Sequence, residues 1–189
     1  MKEIEYNNFY WQNELVRLRA MLESDWELHY HNRFDSSARL LLNYEIELPP
    51  TTKESIDGTN KYTNFTQTHG RIMFIIETLD GTAVGSVNLN SINERNGTFS
   101  IGMVIYCEYR GKGYGTAAMK IILDYAFNQR RLNKYYGSTI QDNIASQTML
   151  QKLGCKKEGV RKEMIYANGK YYDEILFGLT KNEYINFAV

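Results

Sequence analysis

The sequence predicts one mixed α/β domain, a central, mostly antiparallel sheet flanked by helices. Three observations carry that expectation. Asp80-Gly81 and Asn96-Gly97 separate short apolar runs, and both dipeptides favour the positive φ that tight hairpin turns require. Apolar residues recur at helical spacing at Ala118, Ile122, Tyr125 and Ala126. A length of 189 residues, 43 % of them hydrophobic and only two of them proline, suits one domain that buries its core without disulfide staples.

Taken in order, Leu15 to Leu22 alternates apolar and polar residues and reads as a first strand. Ser24-Asp25-Trp26-Glu27 has the spacing of a capping box and opens a helix that continues from Leu28 to Asn43. Pro49-Pro50 stops it. Residues 51–70 are polar and rich in Thr, Asn and Gly, and predict a short helix from Thr52 followed by a mobile loop. Ile72–Glu77, Thr82–Leu89 and Thr98–Ile105 form an antiparallel meander. A glycine-rich loop and the helix around Ala118–Ala126 follow, then a strand over Lys134–Ile140. Asp142 or Asn143 caps a helix that runs to about Leu153 and ends at Gly154. A last hairpin pairs Gly159–Tyr166 with Tyr171–Leu179 around Asn168-Gly169. No repeat or linker divides the chain, so residues 1–189 are read as a single domain.

Composition excludes several function classes. Lys plus Arg and Asp plus Glu both total 22, so a nucleic-acid binder working through bulk positive charge is not expected. The longest apolar run, Ile72–Ile76, is far below the roughly 20 residues of a membrane helix. The terminus Met1-Lys2-Glu3-Ile4-Glu5 lacks the apolar stretch of a signal peptide, and the chain is expected to be soluble and cytoplasmic. Cys107 and Cys155 lack metal-ligand spacing, and His29, His31 and His69 are not near them. No metal site is expected, and both thiols read as packing groups. Charge is nevertheless uneven. Residues 1–95 carry 9 Lys/Arg against 14 Asp/Glu, and residues 96–189 carry 13 against 8, so the second half suits an anionic ligand and the first a cationic one.

The informative segment is Arg110-Gly111-Lys112-Gly113-Tyr114-Gly115-Thr116, between a strand and a helix. Three alternate glycines let the backbone turn sharply and bring its N–H groups close to a ligand. Unpaired donors and the positive dipole end at a helix start favour phosphate, and Arg110 and Lys112 add charge there. A Walker loop would need Ser or Thr after the lysine, where this chain has Gly113. Gly113-x-Gly115-x-x-Ala118 fits the loose dinucleotide fingerprint, but the strand before it ends a meander and Lys134–Ile140 contains no acid.

The loop Arg110–Ala117, the pair of segments Asn143-Ile144-Ala145-Ser146 and Leu150-Gln151-Lys152-Leu153-Gly154, and the closing hairpin resemble the GNAT superfamily of N-acetyltransferases. Within it they resemble the branch of ribosomal-protein alanine and spermidine acetyltransferases. The specific match covers residues 98–180. The resemblance implies a sheet splayed at the cofactor site, acetyl-CoA as cosubstrate, and a primary amine as acceptor, either a protein N-terminus or a small polyamine- or antibiotic-type amine. It implies that Arg110, Gly111, Lys112, Gly113, Tyr114, Gly115 and Thr116 hold the diphosphate, that the backbone at Val104 and Ile105 pairs with the pantetheine arm, and that Asn143 and Ser146 flank the thioester. Residues 51–70 become the acceptor-side loop, and a homodimer is the candidate assembly.

A neutral amine attacks the thioester, and a backbone N–H near Ile105 would stabilise the oxyanion. The chain departs from the family at two positions: Leu150 stands where many relatives carry an acidic Tyr, and Ser100 where many carry a Glu. Ser146 is therefore the candidate acid and Asn143 its neighbour, with Glu77 and Asp173 the candidate bases. The same departures motivate the alternative of a non-catalytic CoA-binding sensor module; a dehydrogenase ranks third.

Overall fold

The computed structural model describes residues 4–65 and 70–187. Met1–Glu3 and residues 66–69, which include His69 and part of the expected 51–70 loop, lie outside them. The elements run β1 (Val16–Ala20), α1 (Trp26–Asn32), α2 (Ser36–Asn43), α3 (Thr52–Asn60), β2 (Arg71–Thr78), β3 (Ala83–Asn93), β4 (Thr98–Ile105), α4 (Tyr114–Asp124), β5 (Lys134–Ile140), α5 (Ile144–Lys152), β6 (Lys156–Ala167), β7 (Lys170–Thr180) and α6 (Lys181–Phe187). They form one seven-stranded sheet in the order β1-β2-β3-β4-β5-β7-β6. Every neighbouring pair is antiparallel except β4 and β5.

Three local expectations need correction. The Ser24–Glu27 box does not cap α1. A single 3₁₀ turn, Glu23–Asp25, comes first, and the Asp25 carboxylate accepts the Leu22 N–H at 2.7 Å. The expected helix from Leu28 to Asn43 is two helices, because the Asp35 carboxylate accepts the Ala38 N–H at 3.1 Å and caps a fresh start. Helix α6 was not expected, although Thr180-Lys181-Asn182-Glu183 carries its signature. The Glu183 carboxylate accepts the Thr180 N–H at 2.9 Å, and the Thr180 hydroxyl accepts the Glu183 N–H at 3.3 Å. Tyr184 then stacks on Phe127 at 5.2 Å and fixes α6 to the core.

The sheet separates two apolar layers because alternate strand residues face opposite sides. On one side Phe99, Tyr135, Ile175, Phe177 and Leu179 pack with Ala118, Met119 and Ile122 of α4 and Leu150 of α5. On the other, Ile140, Ile165 and Tyr172 meet Leu40, Leu41 and Tyr44 from α2 and its end. Trp11 packs at 4.8 Å from Phe74 and 4.6 Å from Tyr125, at the core's rim. Cys155 is buried, and burial pushes its thiol up to about 12. Among the described residues no helix is long and apolar enough to cross a membrane.

Candidate active site

The parallel pair β4–β5 is where the sheet opens. Only Thr98↔Lys134 and Phe99↔Tyr135 are in register. Beyond them the strands diverge, so the β5-facing edge of residues 100–105 has no strand partner among the described residues. A cleft of about 910 Å³ occupies the gap, and Ser100 to Ile105 form one bank of it. The opposite edge of β4 stays paired, with Gly85↔Ile105 and Ser86↔Val104. Glycine at 85 is required for that closeness, because a Cβ there would stand 2.3 Å from the Val104 carbonyl oxygen.

The start of α4 closes one end of the cleft. Gly111 and Gly113 adopt φ of 76° and 87°, in the left-handed region that glycine enters without strain. Gly113 is the N-cap residue and no side chain caps the helix, so the first-turn N–H groups of an 11-residue helix are left for a ligand. Gly111, Gly113, Tyr114, Gly115 and Thr116 all line the cleft, as does Arg110. Uncapped donors and the positive end of the helix dipole together suit a phosphate or diphosphate.

Of the loop's two cations, Arg110 lines the cleft and Lys112 does not. Arg110 donates from Nε to the Ile105 carbonyl at 2.9 Å and from Nη2 to Asp35 at 2.7 Å. Burial alone would raise the Asp35 carboxyl; the Ala38 N–H and the Arg110 guanidinium outweigh it and hold the group below its ordinary range. Lys112 lies over the Tyr109 ring at 5.3 Å and is not among the cleft-lining residues. The cation that reaches the cleft beside Arg110 is Lys152 of α5, which the loop motif gave no reason to single out.

Asn143 and Ser146 line the cleft at the start of α5. The Asn143 side-chain oxygen accepts the Ser146 N–H at 3.1 Å and so fixes the first turn. Leu150 and Ser100, the two departures from the family pattern, also line it. Tyr44 was missed. It follows α2 at φ 63°, lines the cleft, and shares a hydrogen bond of 3.1 Å with Ser138 of β5. Burial raises its phenol above the ordinary range, against the lowering effect of Ser138. No local pattern signals this residue, because only packing of α2 on β5 brings it there.

The structure places both candidate bases in ion pairs outside the cleft lining. Glu77 accepts Arg17 Nε at 2.6 Å and Arg19 Nε at 2.9 Å, is 6 % exposed, and lies on β2 outside the cleft lining. It is a structural ion-pair partner. Asp173 accepts Lys162 Nζ at 2.8 Å and the Glu163 N–H at 2.9 Å at a bulge of the terminal hairpin. Those two donors hold its carboxyl below the usual range, and it too lies outside the lining. The described part of segment 51–70 contributes no lining residue either; α3 packs against α1.

Comparison with known proteins agrees with this geometry. Residues 16–156 match the family model described as an acetyltransferase (GNAT) domain. The chain is 28 % identical over 177 residues to the SPbeta prophage-derived uncharacterized N-acetyltransferase YokL of Bacillus subtilis, covering 93 % of this chain and 95 % of the relative. It is 28 % identical over 170 residues to the spermidine N(1)-acetyltransferase of Escherichia coli, covering 90 % and 88 %. A spermidine N-acetyltransferase from Vibrio cholerae, solved in complex with CoA and spermine, superposes with a TM-score of 0.80 at 23 % identity, over 92 % of this chain and 100 % of that one. The chain belongs to the GNAT acetyltransferase family and is an acetyl-CoA-dependent N-acetyltransferase.

Proposed function

We propose that the acceptor is a singly charged primary amine of the α-amine type, as at a peptide or protein N-terminus. One observation carries the reading: among the described residues no carboxylate lines the cleft. Three carboxylates of the acidic first half are engaged by arginines: Asp35 by Arg110, Glu47 by Arg39, and Asp25 by Arg19. A polycation would find no lining carboxylate in the cleft to pair with its further charges. An α-amine, with a pKa near ~8, is partly neutral at physiological pH and needs no strong base, whereas an amine near ~10.4 needs more help.

In this reading acetyl-CoA supplies an activated acetyl thioester. The N–H groups of Tyr114 to Thr116, with Arg110, Gly111 and Gly113, bind its diphosphate, with Lys152 as the nearby cation in place of Lys112. The open edge at Val104 and Ile105 aligns the pantetheine arm, and an N–H near Ile105 offers a hydrogen bond to developing negative charge. Ser146, held by its Asn143-capped turn, relays a proton to the departing thiolate and regains one from water that takes up the amine's proton; the thiol resembles cysteine in acidity (~8.5) and needs little assistance. Positioning then supplies much of the rate. A homodimer is supported by the terminal hairpin, where Met164, Tyr166 and Tyr171 are 59 %, 61 % and 62 % exposed; sedimentation tests it.

A polyamine acceptor is the second reading, favoured by the similarity to spermidine acetyltransferases. Thiol release from acetyl-CoA, measured against a panel of peptides, polyamines and aminoglycosides, decides between them. Peptides with free N-termini are expected to accelerate release most. Acceleration by spermidine alone would replace this reading with the second.

A further inference from the structure

Thr139 of β5 is 3 % exposed, and its hydroxyl oxygen has no hydrogen-bond partner among the described residues. A buried hydroxyl without a partner is costly, and valine has the same shape without that cost. The position is also particular. Continuing the β4–β5 register from Phe99↔Tyr135 places Thr139 level with Met103, one residue short of Val104, on the opposite bank of the opened sheet. Tyr135 and Thr139 share the side of β5 that faces α4 and α5, and both line the cleft. A threonine carries its hydroxyl and methyl on one Cβ, so a single step about χ1 presents either group to the cleft.

We propose that Thr139 is a donor-binding residue: its hydroxyl hydrogen-bonds the amide-bearing arm of coenzyme A when that arm lies along β4. This rests on the assignment of the cleft to the acyl donor. The bound arm gives the hydroxyl a partner that none of the described residues provides. Specificity for an amide-containing arm over an aliphatic one follows, because only the former answers the hydroxyl.

The test compares Thr139→Val and Thr139→Ser with the wild type, by calorimetric titration with coenzyme A and by thermal unfolding without ligand. Thr139→Val is expected to raise Tm without ligand and to weaken coenzyme A binding about fivefold, in keeping with one neutral hydrogen bond. Thr139→Ser is expected to bind within about twofold of wild type. A purely structural hydroxyl would lower Tm on removal and leave affinity alone, and that result overturns the proposal. Unchanged affinity in Thr139→Val with a raised Tm also overturns it. If the wild type itself fails to bind coenzyme A, the cleft assignment falls first and this inference with it.

Discussion

Arg110 donates to Asp35 at 2.7 Å across 75 positions of sequence, joining the loop before α4 to the cap of α2. The same guanidinium holds the Ile105 carbonyl at 2.9 Å, at the end of the open β4 edge. One side chain of the glycine loop therefore reaches both the strand edge and the cap of α2, and residues of both elements line the cleft.

Asp35→Ala removes that link and the α2 cap together. Loss of the cap costs about 1 kcal/mol of stability; the ion pair, partly exposed, adds little. Urea unfolding is expected to show that modest loss. Acceptor KM should rise as α2 loosens, while coenzyme A binds no more weakly, since Arg110 is freed toward the phosphates. A fall in donor affinity with unchanged acceptor KM would contradict the coupling.

Gly113 separates strain from charge. A Cβ there meets only Leu15, at 3.4 Å, so space is available, but φ is 87° and a side chain costs about 1–2 kcal/mol. Gly113→Ala is expected to fold with reduced Tm and to keep most donor affinity. Gly113→Asp adds a like charge beside the diphosphate and should weaken coenzyme A binding by about a hundredfold. Equal affinities for the two variants, read by titration calorimetry, would place the diphosphate elsewhere.

Glu77 distinguishes an ion pair from a base. Removing a general base costs roughly 10²–10⁴ in rate. Glu77→Gln is expected to leave kcat of the folded enzyme close to wild type and to lower the urea midpoint, because Arg17, with its side chain 8 % exposed, loses its charge partner. A hundredfold drop in kcat at unchanged stability would restore Glu77 as a base.

Asp25 sets a pH dependence. Burial pushes its carboxyl up, but the Arg19 guanidinium and the Leu22 N–H outweigh this and hold it below the ordinary value. A carboxyl with a lowered folded pKa contributes stability above its unfolded value of about 3.9, and the contribution disappears as pH falls through the folded value. The Tm advantage of wild type over Asp25→Asn should be constant from about pH 7 to pH 5 and shrink below about pH 4. An advantage independent of pH down to pH 2 would show that geometry rather than charge carries it.

Local chemistry made much of the architecture readable. β4 and β5 have the bounds the apolar runs predict, Thr98–Ile105 and Lys134–Ile140, because strand alternation and the Asn-Gly turn act over a few residues. The glycine loop and the Asn143 cap were legible for the same reason. Helix α6 was equally local, and its Thr180–Glu183 box went unread. The placement of Glu77 and Tyr44 was not legible, because each depends on which distant group arrives beside it. Glu77 meets Arg17 and Arg19 only after β1 pairs with β2. Tyr44 reaches Ser138 only after α2 packs on β5. Short-range backbone preferences, written residue by residue, determined the elements and the anion-ready helix start; the divergence of β4 from β5, and with it the identity of the groups that face the gap, was decided by long-range packing on the two sides of the sheet.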